Sequence, residues 1–392
     1  MFKKNILLAL IALILSLSLI LSQGILCQPC YAKEKKDDYS AKALYLMDYN
    51  TGEVLFEKNS QEKLPVASIV KLMTICITCQ KLDEGAINLD QKVVVSENAA
   101  GMGGSQVFIE ANAEYTIGDL LKSTIVSSAN DASVALAEVI SGSEENFVEL
   151  MNEKAQKLGL KNTNYSNCTG LPTINQFSSA EDTAKLLKEV FSYDAYHKYS
   201  TIWMDTLLHP NDRESELVNT NKLIRHYEGC DGGKTGSTSE AGYCLVATAK
   251  RGNMRLIGVV LGAENGKARF AETSKLLNYG FLNFENKLVV SKSFTDDLSI
   301  EVIGGEQKNA YIEPEKEIYL LLKKNSNDEI STEIKLSENV KAPIKKGENL
   351  GEILIVKNNE IIQTVNLVSK NDIESASYFD ILQNISNNWK IA

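Results

Sequence analysis

Three short patterns in this chain combine residue types that can break an acyl bond: Ser68-Ile69-Val70-Lys71, Ser128-Ala129-Asn130 and Lys234-Thr235-Gly236. A hydroxyl beside an amine is the smallest pair for nucleophilic catalysis, provided the amine is neutral when it takes the hydroxyl proton. Positions i and i+3 share one face of a helix, so Lys71 Nζ can reach Ser68 Oγ. A helix N-terminus at Ser68 would add free backbone N–H groups for an oxyanion. Ordinary lysine titrates near 10.4, so a base working at neutral pH needs a downward shift of roughly 3 units, about 4 kcal/mol. Burial and a second cation both push that way, and Lys234 is the candidate cation. Ser128 can relay a proton, and the Asn130 amide can hold a substrate carbonyl. Lys234 and Thr235 suit an anionic carboxylate, and Gly236 lets a substrate backbone come close.

Each pattern alone is weak. S-x-x-K recurs at Ser60–Lys63, and S-x-N recurs at Ser96, Ser337, Ser369 and Ser386, whereas K-T-G occurs once. Context separates the candidates. Ser60 lies in a polar stretch ahead of Pro65, while Ser68 opens a run with Leu72, Ile75, Cys76 and Cys79 at helical spacing. Ser128 and Asn130 fall at a break between two helical segments, where side chains can point into a cleft.

The elements that must hold these residues read as follows. A hairpin spans 41–59, turning over Tyr49-Asn50-Thr51-Gly52. Residues 72–82 are helical, 100–105 form a flexible glycine-rich loop, and 116–160 form three helices broken near 127–130 and 141–143. Another helix fits 180–191. Two strands flank the turn Arg251-Gly252-Asn253, and a helix follows over 269–281. Helices between an early hairpin and late strands imply an α+β layer fold with an antiparallel sheet. Beyond Phe284 only short strands appear, which suggests a separate small β domain. The tail from Ile373 is helical again, with Tyr378, Leu382, Ile385 and Trp389 on one stripe. That stripe suits a membrane surface; because its only base is Lys390, packing on the β domain or on a partner is the rival use.

Composition bounds the function. The chain has 392 residues, 41 basic and 51 acidic, for a net charge of −10. Nucleic acid is therefore excluded as a partner, since phosphate binding needs a basic face. The three histidines, His197, His209 and His226, have no metal-ligand spacing and leave few choices for a Ser/His/Asp triad. A His-rich zinc site is therefore not expected. Residues 1–32 read as an export signal, with Lys3 and Lys4, an apolar run from Ile6 to Leu21 and a cleavage site after Ala32. An uncleaved anchor would equally put the rest outside the cytoplasm. Five cysteines follow this segment. Cys76 and Cys79 read as two small helix residues one turn apart, with a redox site as the alternative, and Cys230 and Cys244 could pair.

The three motifs, in this order, resemble those of the penicillin-recognising serine enzymes, as known for class A β-lactamases and penicillin-binding proteins. More closely, the chain resembles the low-molecular-mass penicillin-binding proteins that act as serine D-alanyl-D-alanine carboxypeptidases. Pro65–Thr74, Ser128–Ala132, Asp231–Gly236 and Ala241–Tyr243 carry the likeness, with Leu158–Thr163 and Thr169–Leu171 in support. With the segments read above, the chain divides into a signal peptide over 1–32, a catalytic domain over 33–285 that the resemblance makes transpeptidase/β-lactamase-like, a small all-β domain over 286–370 and an amphipathic helix over 371–392. The resemblance implies neither a metal nor an organic cofactor. It implies that Ser68 is acylated by the penultimate D-alanine of a peptidoglycan stem, with Lys71 as base. Ser128, Asn130 and Lys234 would complete the proton and hydrogen-bond network. Backbone N–H groups of Ser68 and Ser237 would hold the oxyanion, with the Lys234-Thr235-Gly236 strand lining the cleft. Thr235 and Arg269 would hold the substrate carboxylate. β-Lactam antibiotics would act as covalent inhibitors. An endopeptidase would use the same site. A β-lactamase would need a carboxylate to activate the deacylating water and would not need the residues beyond Phe284. A non-catalytic wall-binding protein would not need the intact Ser/Lys pair.

Overall fold

The strand Ala43–Asp48 (β1) is buried at every position, so both of its faces must be covered. The computed structural model describes residues 38–296, 298–379 and 382, and it supplies both covers. The 49–53 turn leads from β1 into Val54–Lys58 (β2). Two short hairpins follow: Lys92–Val94 (β3) with Glu114–Thr116 (β4), and Met204–Leu208 (β5) with Glu214–Val218 (β6). Three long strands, Cys230–Thr238 (β7), Gly242–Arg251 (β8) and Met254–Ala263 (β9), complete a sheet in the order β2-β1-β9-β8-β7, antiparallel throughout.

Successive side chains of a strand point to opposite faces. Tyr45, Met47, Val246, Ile257 and Val259 therefore enter a core shared with the helical lobe. That lobe contains Lys71–Asp83 (α1), Glu97–Ala100 (α2), Ile117–Val126 (α3), Asn130–Ser141 (α4), Glu144–Lys157 (α5), Ala180–Val190 (α6) and Asp194–Ser200 (α7). Leu44, Leu46, Leu245 and Val260 point the other way, against Leu276, Leu277 and Phe281 of a long helix, Gly266–Asn283 (α9). The short Leu223–His226 (α8) adds Leu223 to that second core. The breaks expected near 127–130 and 141–143 are present for physical reasons. Gly142 ends α4 in the left-handed conformation, and the Ser143 side chain caps α5 through the Asn146 N–H.

The chain passes from α9 straight into Phe284–Val290 (β10), which pairs with Ile318–Lys323 (β13). Ser299–Glu301 (β11), Asn309–Pro314 (β12), Ile330–Leu336 (β14), Asn349–Lys357 (β15) and Glu360–Ser369 (β16) form a sheet in the order β11-β12-β16-β15-β14. Val290, Ile312, Ile344, Ile353 and Leu367 fill its core.

Three expectations are revised. The terminal helix does not begin at 371: Ile373 is 1% exposed and bridges Ile344, and Ser375 bridges Gly305, so this stretch stays extended against the β sheet. Tyr378, Phe379 and Leu382 are helical and exposed, and the remainder of that segment lies outside the described residues, as does the export segment 1–32. Cys230 and Cys244 do not pair. Cys230 sits opposite Ala249 and Cys244 opposite Gly236, roughly 16 Å apart along the strands by the usual rise and beyond disulfide reach. The five cysteines among the described residues are all free and buried. Burial pushes the Cys76 thiol up to about 12 and Cys79 upward as well, so neither supplies a reactive thiolate. Finally, the glycine-rich loop is tied down, because the Gly103 carbonyl accepts from Asn130 Nδ2 (2.6 Å) and the Ser105 carbonyl from the Asn130 N–H (2.7 Å).

The five-stranded sheet that contains β1 is joined to the β10–β13 pair by a buried polar contact. Asp48, fully buried, accepts from Asn286 Nδ2 at 2.6 Å and from the Thr51 N–H at 2.8 Å. Removing the carboxylate strands both donors, a loss of about 2 kcal/mol. Asp48→Ala is therefore expected to lower Tm by about 4–8 °C, measured by thermal unfolding. An unchanged Tm would show that the contact carries no stability.

Candidate active site

Ser68 does not open the α-helix itself. It lies in a 3-10 turn, Ala67–Val70, that runs directly into α1, whose first residue is Lys71. The i,i+3 relation nevertheless holds: Lys71 Nζ is 3.0 Å from Ser68 Oγ. The ammonium end is fully buried, and its other contact is the Thr169 carbonyl at 2.5 Å. Burial pulls Lys71 down to about 7, against the opposing influence of Cys168 and Asp131. This is the shift that the sequence argument required.

Ser128 and Asn130 sit at the junction of α3 and α4. Ser128 holds a left-handed backbone, φ 60°, a conformation that costs energy in a residue with a Cβ and that clusters at functional sites. Lys234 of β7 donates to Ser128 Oγ at 2.7 Å and to the Thr235 carbonyl at 3.1 Å. Lys234 is also buried, and its pKa falls well below the ordinary lysine value through burial first, then through Lys71 and Arg269. Asn130 donates through Nδ2 to the Gly103 carbonyl at 2.6 Å and through its backbone N–H to the Ser105 carbonyl at 2.7 Å. Its Oδ1 is buried without a partner among the described residues. The first, second and third motifs thus converge on one cleft.

The third motif is an edge strand packed on the nucleophile turn. A Cβ at Gly236 would lie 2.5 Å from the Val66 carbonyl and 3.1 Å from the Ile69 nitrogen, so only glycine permits this approach. Thr235 Oγ1 bonds Thr220 Oγ1 at 2.8 Å. Arg269, on α9 behind the sheet, reaches the Gly236 carbonyl with Nη1 at 3.1 Å. Ser237, next along β7, is exposed.

The sequence alone assigns no role to 167–170, yet this segment holds Lys71. Asn167 Oδ1 accepts from the Gly170 N–H (2.7 Å) and the Thr169 N–H (3.2 Å), and Glu144 accepts from the Cys168 N–H (2.9 Å). Gly170 has φ 82°, and a Cβ there would lie 2.1 Å from the Ala67 carbonyl. The only signal in the sequence was Thr169-Gly170-Leu171 itself, and local composition could not reveal its contact with Lys71, 98 positions away. Thr220 was missed for the same reason.

The D-alanyl-D-alanine carboxypeptidase family model matches residues 31–265, and the penicillin-binding protein 5 C-terminal domain model matches 284–375. The chain is similar to D-alanyl-D-alanine carboxypeptidase DacF of Bacillus subtilis (strain 168), 42% identical over 352 residues and covering 90% of each chain. It is also similar to D-alanyl-D-alanine carboxypeptidase DacC of Escherichia coli (strain K12), 35% identical over 350 residues and covering 86% of each. Among solved structures, penicillin binding protein 5 from Haemophilus influenzae matches with TM-score 0.69 and 34% identity, over 86% of this chain and 98% of that one. A peptidoglycan synthesis regulatory factor (PBP3) from Streptococcus pneumoniae matches with TM-score 0.72 and 27% identity, over 86% of this chain and 100% of that one.

Two outcomes test the geometry. Acylation needs Lys71 neutral, so its rate should fall about tenfold per unit below pH 7 and level off above it. The measurement is the labelling rate of Ser68 by an activated thioester; a flat profile from pH 5 to 9 would contradict a lysine base. Gly170→Ala should slow the same labelling more than about tenfold, since its Cβ must displace the nucleophile turn. Wild-type labelling in that variant would show that the turn can shift freely.

Proposed function

The chain belongs to the D-alanyl-D-alanine carboxypeptidase family, and on that premise we propose which residues of this serine hydrolase perform each step in removing the terminal D-alanine from a peptidoglycan pentapeptide stem. The observation that carries the assignment is a buried lysine, lowered to about 7, 3.0 Å from Ser68 Oγ.

The stem's terminal carboxylate is drawn to Thr235 and Ser237, within the positive field of Arg269 and Lys234. Asn130 Oδ1, a buried acceptor without a partner among the described residues, takes a substrate amide N–H. Lys71 accepts the Ser68 proton as Ser68 Oγ attacks the penultimate D-alanine carbonyl. Backbone N–H groups of Ser68 and Ser237 stabilise the oxyanion. The C–N bond then breaks, and the departing amine of D-alanine receives a proton through Ser128, which Lys234 orients at 2.7 Å. Water next attacks the ester, with Lys71 again as base, and frees Ser68. A β-lactam presents the same carbonyl and carboxylate and acylates Ser68 in the same way.

We also infer that the enzyme works outside the cytoplasm, exported by residues 1–32. In this reading 33–285 is the catalytic domain, 286–370 the β-rich domain, and the segment beginning at Tyr378 lies on the membrane surface. The exposure of Tyr378 (72%) and Phe379 (81%) supports that last role.

The decisive test incubates residues 33–392 with diacyl-Lys-D-Ala-D-Ala and measures free D-alanine. Release is expected, and Ser68→Ala should abolish both it and covalent penicillin uptake while keeping the Tm. Penicillin labelling that survives in Ser68→Ala would overturn the assignment. Deleting 378–392 should move the protein from the membrane to the soluble fraction without changing kcat. Continued membrane association would transfer the anchor to the N-terminal segment.

A further inference from the structure

A narrow slot is lined by Pro65 and Ala67 at the nucleophile turn, by Leu171 and Gln176 after Gly170, and by Thr238 and Glu240 at the end of β7. Its free volume is about 20 Å³, little more than one water needs, so it admits a slender chain and no bulky group. Two contacts join the slot to the cleft. Gly170, also in the lining, is pressed on the nucleophile turn, where an added Cβ would lie 2.8 Å from the Ser68 nitrogen. Leu171 meets the loop that Asn130 holds: a Cβ at Gly104 would lie 3.5 Å from Leu171 Cδ2 and 2.7 Å from Asn130 Nδ2. The slot therefore borders both Ser68 and the Asn130 side of the cleft.

Glu240 is the only charged residue in that lining. It is exposed and has no hydrogen bond or ion pair among the described residues. The turn that carries it is fixed, because the Ala241 N–H donates to Thr238 Oγ1 at 3.0 Å and Thr238 pairs with Gly242 across the turn. Gln176, the other long polar side chain, is already engaged. Its Oε1 accepts from the Ser166 and Asn167 N–H groups, each at 3.0 Å, and its Nε2 donates to the Leu171 carbonyl at 3.2 Å. The carboxylate of Glu240 is thus the one charge at the slot that is held in place and left unpaired among the described residues.

We propose that Glu240 determines specificity for the stem residue that precedes D-alanyl-D-alanine, by pairing with an ammonium group on the side chain of that residue. The proposal rests on the carboxypeptidase reading above, which sets the direction of the substrate. With the terminal carboxylate at Thr235 and the attacked carbonyl at the Ser237 N–H, the rest of the stem continues along β7 toward its end. The residue before the penultimate D-alanine then falls opposite Thr238. Glu240 is two positions further, at most about 7 Å away, within reach of the four-carbon stem of a lysine. Pro65, Leu171 and Pro172 offer apolar surface to those methylenes, and the carboxylate meets the ammonium in solvent. The departing D-alanine takes no part in this contact.

The test uses the full chain and two peptides, Nα-acetyl-Lys-D-Ala-D-Ala and the same peptide with 6-hydroxynorleucine in place of lysine. The two side chains share a shape and differ by one charge. One exposed ion pair gives an expected kcat/KM for the lysine peptide about threefold above that for the hydroxyl peptide, measured as D-alanine release. Glu240→Gln should bring that ratio to about one, and Glu240→Lys should bring it below one. Thermal unfolding of both variants at the wild-type Tm would report an intact fold. A wild-type ratio of one, or a ratio above one that survives both substitutions, would overturn the role of Glu240, while D-alanine release from both peptides would leave the carboxypeptidase standing. Absence of release from either peptide by the wild-type chain would overturn the parent reading instead.

Discussion

Two lysines share one buried cleft, and the rest of the catalytic lobe is arranged around that fact. Lys71 is 0% and Lys234 1% exposed. A buried ammonium without a counter-charge costs several kcal/mol, and a protein relieves the cost by lowering the pKa or by supplying acceptors. Both remedies are present. Lys71 is brought to about 7, and Lys234 is lowered by burial and by its neighbour's charge. The acceptors are neutral oxygens: the Thr169 and Thr235 carbonyls and the hydroxyls of Ser68 and Ser128. A carboxylate in their place would have raised Lys71 toward the ordinary lysine value. Asp131, the nearby buried acid, is occupied instead by the backbone N–H groups of Val107 and Ile109.

Holding neutral acceptors against two lysines requires backbone to approach backbone. Ala67 and Ser128 accept left-handed conformations, φ 49° and 60°, each a local cost of order 1–3 kcal/mol. Gly170 and Gly236 permit contacts that any side chain would block. This strain persists because the surroundings are stiff: α1 is buried along most of its length, and the β7 edge is paired to β8 from Cys230 to Thr238. The cleft is consequently shaped by a sheet edge, by helix ends and by the 103–105, 167–170 and Thr220 segments hydrogen-bonded to them.

The far face of the sheet contributes through one long side chain. Packing of Leu276 and Leu277 on Leu44, Leu46 and Val260 fixes α9, and that helix aims Arg269 round the strand edge to the Gly236 carbonyl. The charge that Arg269 brings to this end of the cleft thus depends on a core that lies on the other side of the sheet. Through Asn286 and Asp48 the same sheet is tied to the β-rich part.

Much of this was legible beforehand. The i,i+3 spacing of Ser68 and Lys71, the helix breaks at 127–130 and 141–143, the strands on either side of Arg251-Gly252-Asn253 and the β-rich texture beyond Phe284 are local properties. Periodicity, caps and turn residues report them directly. The short hairpins β3–β4 and β5–β6 were not foreseen, because strands of three to five residues carry too few positions for a period to show. The tail was misplaced because the stripe that includes Tyr378 reads as helical throughout, while Ile373 has a stronger claim on the β core. The sequence by itself determined which residues are able to do the chemistry, since nucleophile, base and cation are properties of side chains and short spacings. Only the tertiary structure decided that Thr169, Asn167 and Thr220 hold them, that Lys71 is desolvated and that Arg269 reaches the cleft. Burial and long-range hydrogen bonds depend on segments up to about a hundred positions apart, and no local pattern encodes them.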